Sequence, residues 1–196
     1  FAQLPTSTGF GFGASVVVSG LYLLPSTVGM TILGMFAGRI SARFGSRTAL
    51  LSGTAFTTAS FALLAVAHSH PYELLIAAAL LGVGIGLAFA ALGNLIVQAV
   101  SIHQTGVASG MNTVMRTLGG ALGGQLSATF IAANVAHGQP TVTGFTETFA
   151  MATGFLVVAF LAGLLVPKGQ AQQPQGEEAV ADAVRDETAA GALETA

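Results

Sequence analysis

The sequence predicts an all-α integral membrane protein, and three observations carry this prediction. Only 7% of the 196 residues are charged, whereas a soluble globular domain carries about 25%. Hydrophobic residues make up 53% of the chain, and its mean hydropathy is +0.76. Five apolar stretches are close to the roughly 20 residues that a helix needs to cross a hydrocarbon core. A protein surface with so few charges is suited to lipid rather than to water.

The predicted spans cover residues 14–37, 48–67, 74–100, 107–133 and 148–166. They contain no Asp, Glu or Lys, and their only charge is Arg116. They are apolar all round, whereas strands of a membrane barrel alternate apolar and polar residues. Helices are therefore favoured, since each helix satisfies its own backbone hydrogen bonds in lipid. Pro25 predicts a kink in the first span.

The composition changes after the fifth span. Residues 1–167 are predicted to form one transmembrane bundle, and residues 168–196 a cytoplasmic tail that holds six of the eight acidic residues. Because this tail has few large apolar side chains, we expect it to be disordered. The first residues, FAQLP, look like the end of an apolar segment. We therefore expect the chain to be the C-terminal part of a longer protein.

Three of the six basic residues lie within the short segment GRISARFGSR, residues 38–47. Cytoplasmic loops are enriched in Lys and Arg, so this segment is placed on the cytoplasmic side. By alternation, HSHPYE (68–73) and residues 134–147 lie outside, and SIHQTG (101–106) and the tail lie inside. The chain is thus expected to be a multi-pass protein of the plasma or inner membrane. Membrane orientation alone is one sufficient explanation of these arginines.

The spacing within the segment offers a second explanation. It resembles the loop motif of the major facilitator superfamily, which joins the second and third helices of each half. The matching positions are Gly38, Arg39, Arg43, Gly45 and Arg47. The usual Asp of the motif is Ala42 here, and Ser46 replaces a basic residue. In that family the loop holds neighbouring helix ends and helps to set the equilibrium between inward-facing and outward-facing states.

A second segment, QTGVASGMNTVMRTLGGALGG (104–124), resembles a helix signature of the EmrB/QacA-type multidrug:proton antiporters, the fourteen-span branch of this superfamily. The resemblance covers about residues 1–167 and implies part of the C-terminal bundle of a major facilitator fold. It implies proton-coupled export of small hydrophobic or cationic molecules by alternating access, together with a missing N-terminal bundle and without a cofactor. The alternative is a non-transporting membrane fragment or interaction partner. An enzyme is disfavoured, because no nucleophile–base set or phosphate-binding loop is present.

Arg116 is the first candidate functional residue, because an arginine deep in a membrane costs at least a few kcal/mol unless it is paired or hydrated. One alternative is a structural or gating arginine whose side chain reaches the cytoplasmic interface. The other is an arginine that contacts substrate or a carboxylate of the missing half. Asn112, one turn earlier, is expected to hydrogen-bond its guanidinium. Asn94 and Gln98 either line the cavity or bond across helices. No Asp or Glu lies within a predicted span, so the proton-coupling group is expected in the missing part.

Glycine pairs predict close helix packing. The predicted contact joins one face of the fourth span to the third span, through Gly119, Gly120, Gly123, Gly124, Gly82 and Gly86. A metal site is not expected, because His68 and His70 have no third ligand nearby, and His103 and His137 lie in other predicted loops. The net charge of −2 gives no indication of nucleic-acid binding.

Overall fold

The computed structural model describes residues 2–5, 10–67, 69–136 and 138–166. These residues form a bundle of long helices, which confirms the predicted all-α membrane fold. The elements are α1 Val16–Phe44, α2 Ser46–Val66, α3 Pro71–Ala99, a 3-10 turn Ile102–Gln104, α4 Thr105–Ala133, β1 Val135–Ala136, β2 Gln139–Pro140 and α5 Val142–Leu164. The two short strands pair antiparallel. Phe1, residues 6–9, His68, His137 and the tail with Pro167 lie outside the described residues.

Four of the described helices are long and apolar enough to cross a membrane: α1 over Val16–Phe36, α2, α3 and α5. At 29 residues, α4 is also long enough, since about 44 Å is reached at 1.5 Å per residue. Its composition sets it apart, because it carries Arg116, Asn112 and several hydroxyl residues. The fourth predicted span is thus a long helix that is more polar than its neighbours.

Several helices extend beyond the predicted apolar spans. α1 continues as one helix through Pro25 and through most of the arginine segment to Phe44. No proline interrupts residues 37–44, and the helix ends only at Gly45. α5 begins at Val142, within what the sequence predicted to be a loop. Hydropathy marks the part of a helix suited to lipid, whereas backbone hydrogen bonding continues into the polar flanks.

Helix α3 lies at the centre of the bundle and packs against both α1 and α2. α5 packs along α2, and α4 packs mainly against α5 with a small contact to α3. The core is built from small residues, among them Ala49, Ala77 and Ala91. The fully buried Ser60 donates its hydroxyl to the carbonyl of Ala77, 2.7 Å away, which joins α2 to α3. Small residues let membrane helices approach closely where no hydrophobic driving force acts between them.

Candidate functional site

Helix α4 is the element whose surface the rest of the described bundle leaves open. None of its residues is buried. Large apolar side chains such as Val107, Met111 and Leu122 are 77%, 62% and 67% exposed. Helical geometry places these three on the side opposite Arg116. The helix therefore has an apolar face suited to lipid and a polar, glycine-rich face that centres on Arg116.

Arg116 packs on an aromatic ring of the central helix. Its guanidinium carbon lies 5.2 Å from the centroid of Phe89 on α3. The two residues share a depth, since Phe89 lies ten residues before the end of α3 and Arg116 lies eleven after the start of α4. A cation–π contact of this kind contributes about 0.5–2 kcal/mol. Arg116 is exposed in the described bundle, so the ring of Phe89 covers the guanidinium only in part.

Most hydroxyl groups of α4 donate within the helix itself, and the hydroxyl of Ser109 has no hydrogen bond among the described residues. Thr113 donates to the carbonyl of Ser109 at 3.1 Å, and Thr117 to that of Thr113 at 2.9 Å. Asn112 is half-buried, and no hydrogen bond joins it to Arg116 among the described residues. The amide of Asn112, the guanidinium of Arg116 and the hydroxyl of Ser109 are therefore polar groups of this face that remain available to bind a ligand or another helix.

The glycines that the sequence singled out fall into two groups. A Cβ atom added at Gly119, Gly120, Gly123 or Gly124 of α4 would meet no atom within 4 Å. A Cβ at Gly82 of α3 would lie 2.6 Å from the Cα of Ser26, and one at Gly86 would lie 3.0 Å from the carbonyl oxygen of Met30. The glycines of α3 thus pack against α1 and not against α4. The glycine face of α4 has no partner within the described bundle.

Sequence reasoning did not identify a further pair of glycines, which lie at the contact between α2 and α3. A Cβ added at Gly53 of α2 would lie 2.7 Å from the backbone nitrogen of Ala88, and one at Gly84 would lie 2.7 Å from the carbonyl oxygen of Gly53. Gly84 lies between the two glycines that contact α1. The alternating sequence Gly82-Val83-Gly84-Ile85-Gly86 was the available signal, because every second residue being small leaves room on two sides of one helix.

Asn94 and Gln98 occupy the last two turns of α3. Gln98 donates its amide nitrogen to the hydroxyl oxygen of Ser46 at 3.3 Å, across to the start of α2. This is the cross-helix bond that the sequence offered as one of two alternatives. Asn94 is half-buried and has no hydrogen bond among the described residues. Of this pair, Asn94 is the residue left free to line a cavity.

The arginine segment is helical except for one residue. Gly45 separates α1 from α2 with a φ of 84°, and its amide donates to the carbonyl of Ser41 at 2.9 Å. Arg47, in the first turn of α2, donates through Nη2 to the carbonyl of Leu164 at the end of α5, 2.6 Å away. An arginine on a terminal helix carbonyl complements the negative end of the helix dipole. Arg47 thus joins the start of α2 to the end of α5.

Asn134 holds the other end of α4 to α5. Its side-chain amide donates to the carboxylate of Glu147 at 2.8 Å and to the carbonyl of Phe130 at 3.0 Å. Thr141 donates its hydroxyl to the carbonyl of Asn134 at 3.0 Å. Sequence reasoning missed Asn134, because an Asn at the end of a predicted span looks like an ordinary loop residue. α4 is therefore fixed at this end, while the described contact of Arg116 on its open face is the ring of Phe89.

The histidines and acidic residues of the described part form no group of three that could hold a metal ion. His70 and Glu73 instead form a capping box at the start of α3, in which the His70 amide donates to the Glu73 carboxylate at 2.9 Å. His103 lies in the 3-10 turn before α4. His68 and His137 lie outside the described residues.

Comparison with known proteins gives a family match. Residues 2–193 match the family model of the Major Facilitator Superfamily. The chain is 30% identical over 117 residues to the drug efflux pump JefA of Mycobacterium tuberculosis. This matched region covers 59% of this chain and 23% of that protein. The chain is also 26% identical over 112 residues to the multidrug resistance protein Stp of the same organism, covering 57% of this chain and 21% of that protein. The chain therefore spans less than a quarter of either relative in these matches. No solved structure matches it.

Proposed function

Because the chain belongs to the major facilitator superfamily, we propose that it is the C-terminal part of a secondary transporter of the EmrB/QacA type. The complete transporter exports small hydrophobic or cationic molecules from the cytoplasm in exchange for protons. Two of the chain's relatives are named as drug efflux proteins, which supports this class of substrate. The bundle lies in the plasma or inner membrane, with the arginine segment and the tail in the cytoplasm.

The open face of α4 is the observation that carries this proposal. A helix in a membrane does not present an arginine and an asparagine to lipid without cost. In α4 both residues lie on a face where the described contact of Arg116 is the Phe89 ring of α3, beside glycines with empty space around them. A water-filled cavity shared with an absent N-terminal bundle accounts for this face. Arg116 and Asn112 line that cavity, and Asn94 lies toward its cytoplasmic end.

Alternating access then follows from rocking of the two bundles about the central cavity. The hydrogen bond between Arg47 and Leu164 keeps α2 and α5 together during this motion. Proton coupling requires a group that changes its charge within the membrane. The acidic residues of the described spans, Glu73 and Glu147, lie near helix starts and are already hydrogen-bonded. The coupling carboxylate is therefore assigned to the absent bundle.

Replacing Arg116 in the complete transporter tests the proposal. We expect Arg116→Ala to slow the efflux of a cationic dye such as ethidium by roughly 10- to 100-fold, since a charge-assisted hydrogen bond contributes about 1.5–3 kcal/mol. Arg116→Lys should retain part of the activity, because the charge is kept. Leu122→Ala, on the opposite and lipid-suited face of α4, serves as the matched control. Wild-type efflux by Arg116→Ala would contradict a role for this face in transport.

The unpartnered face of α4 also favours a second candidate function. The chain on its own would be a non-transporting membrane protein that associates with another bundle through the glycine face. Co-purification of the 196-residue chain with a complete transporter, without any efflux of its own, would favour this alternative. Both candidates predict that the glycine face contacts protein, and only the first predicts that Arg116 changes the rate of export.

A further inference from the structure

The junction of α1, α2 and α5 holds more positive charge than its surroundings neutralise. We call Arg39, Arg43 and Arg47, together with Ser41 and Gly45, the arginine junction. Among the described residues no ion pair links any of its arginines to an acidic side chain. The ion pair that is described, between His70 and Glu73, lies at the opposite end of α2. Within the described part of the chain, the junction is therefore a cluster of cations without an acidic partner.

The junction also holds buried hydrogen-bond donors without acceptors. Arg47 uses Nη2 to bind Leu164, but its Nε is buried and has no partner. Ser41 is only 6% exposed, and its hydroxyl is likewise unpartnered. The start of α2 has no side-chain cap, so its first backbone amides add donors and the positive end of the helix dipole. Buried donors normally have partners, and the exposed arginines Arg39 and Arg43 are the donors of the junction that an anion outside the bundle can reach.

The surroundings of the junction are those of a membrane boundary. The apolar span of α1 ends at Phe36, and Arg39 and Arg43 follow one turn apart on the same side of the helix. Phe36 and Phe44 are 48% and 60% exposed, and the guanidinium carbon of Arg43 lies 5.6 Å from the ring centroid of Phe44. Exposed arginines beside exposed aromatic rings match the level at which lipid phosphates meet acyl chains.

We propose that the arginine junction binds the phosphate headgroup of an anionic phospholipid. Guanidinium groups bind phosphate with two parallel hydrogen bonds, and the lipid's acyl chains cover Phe36 and Phe44. The acidic tail is the competing anion, since it follows α5 and carries six acidic residues. It has few large apolar side chains to cover these rings. The exposed aromatic rings therefore favour lipid over the tail.

Retention of lipid by the purified 196-residue chain tests this proposal. The probe is phosphatidylglycerol, added in detergent and counted by native mass spectrometry, with phosphatidylcholine as the uncharged comparison. We expect Arg39→Gln and Arg43→Gln each to weaken retention of phosphatidylglycerol about fivefold, the effect of one arginine near a charged membrane surface. Retention of phosphatidylcholine should stay unchanged. Arg185→Gln, which removes the same charge from the tail, is the matched control.

Two results would overturn the proposal. Equal retention of phosphatidylglycerol by the wild-type chain and by Arg39→Gln and Arg43→Gln would show that the junction is not its site. Retention that appears only after the tail is removed at residue 168 would assign the junction to the tail carboxylates. Circular dichroism of each variant separates loss of lipid from loss of fold. The proposal concerns binding alone, so it stands or falls independently of transport.

Discussion

Gly45 shows at the scale of one residue how the backbone sets the geometry of the arginine junction. Its φ of 84° and ψ of 144° lie in a region that is almost confined to glycine. A Cβ atom there would meet nothing within 4 Å, so the constraint is conformational and not steric crowding. We expect Gly45→Ala to destabilise the bundle by about 1–3 kcal/mol, measured as the SDS concentration that unfolds half of the protein.

The control for this prediction is Gly34→Ala within α1. A Cβ at Gly34 also meets nothing within 4 Å, but the backbone there is helical. Alanine is favoured over glycine in a helix by about 0.5–1 kcal/mol, so this variant should be neutral or slightly stabilised. An equal loss of stability in Gly45→Ala and Gly34→Ala would show that the positive φ of Gly45 does not contribute to the stability of the bundle.

Single residues also show what the sequence could and could not predict about the site. Arg116 was found because one charge within an apolar span has a cost that requires an explanation. Its partner Phe89 was not found, since a phenylalanine in an apolar helix has no feature that distinguishes it from a lipid-facing residue. The hydrogen bond from Arg47 to Leu164 spans 117 positions. The resemblance implied that the arginine segment holds neighbouring helix ends, but the sequence could not name the helix.

At the scale of elements, the glycines of α3 determine how closely α1 packs. We expect Gly82→Val to destabilise the bundle by about 1–3 kcal/mol, as overpacking of a close contact usually does. The Cβ would lie 2.6 Å from the Cα of Ser26, so α1 would have to move away. The same SDS titration measures the loss. Gly124→Val on α4, where a Cβ meets nothing within 4 Å, should unfold like the wild type.

The elements also explain why hydropathy predicted the existence of the helices better than their end residues or the helices they pack against. Apolar composition is set by lipid, so each predicted span lies largely within one of α1 to α5. The ends are set by backbone conformation, and the motif expected to be a loop is helical because only Gly45 breaks it. Helix partners depend on which face meets which. Gly82 and Gly86 were therefore assigned to α4, whereas they contact Ser26 and Met30 of α1.

At the scale of the whole molecule, the glycine face of α4 should be needed only in the complete transporter that we propose. In the 196-residue chain, Gly120→Leu should leave the SDS unfolding midpoint unchanged, since a Cβ there meets nothing within 4 Å. In the complete transporter, a leucine on this face should push the two bundles apart and reduce ethidium efflux at least about fivefold, the result of overpacking by about 1–3 kcal/mol. Wild-type efflux by Gly120→Leu would show that the face meets lipid.

The same argument predicts that the 196-residue chain does not transport by itself. A central cavity needs walls on both sides, and in this chain Arg116 and Asn112 have no second bundle opposite them. Proteoliposomes containing only the chain should show no ethidium movement above protein-free vesicles when a proton gradient is imposed. Adding the N-terminal bundle of the proposed transporter as a separate chain should restore movement, and Arg116→Ala should remove it again. Gradient-driven transport by the chain alone would show that the open face completes a pathway without a second bundle, for instance by pairing with another copy of itself.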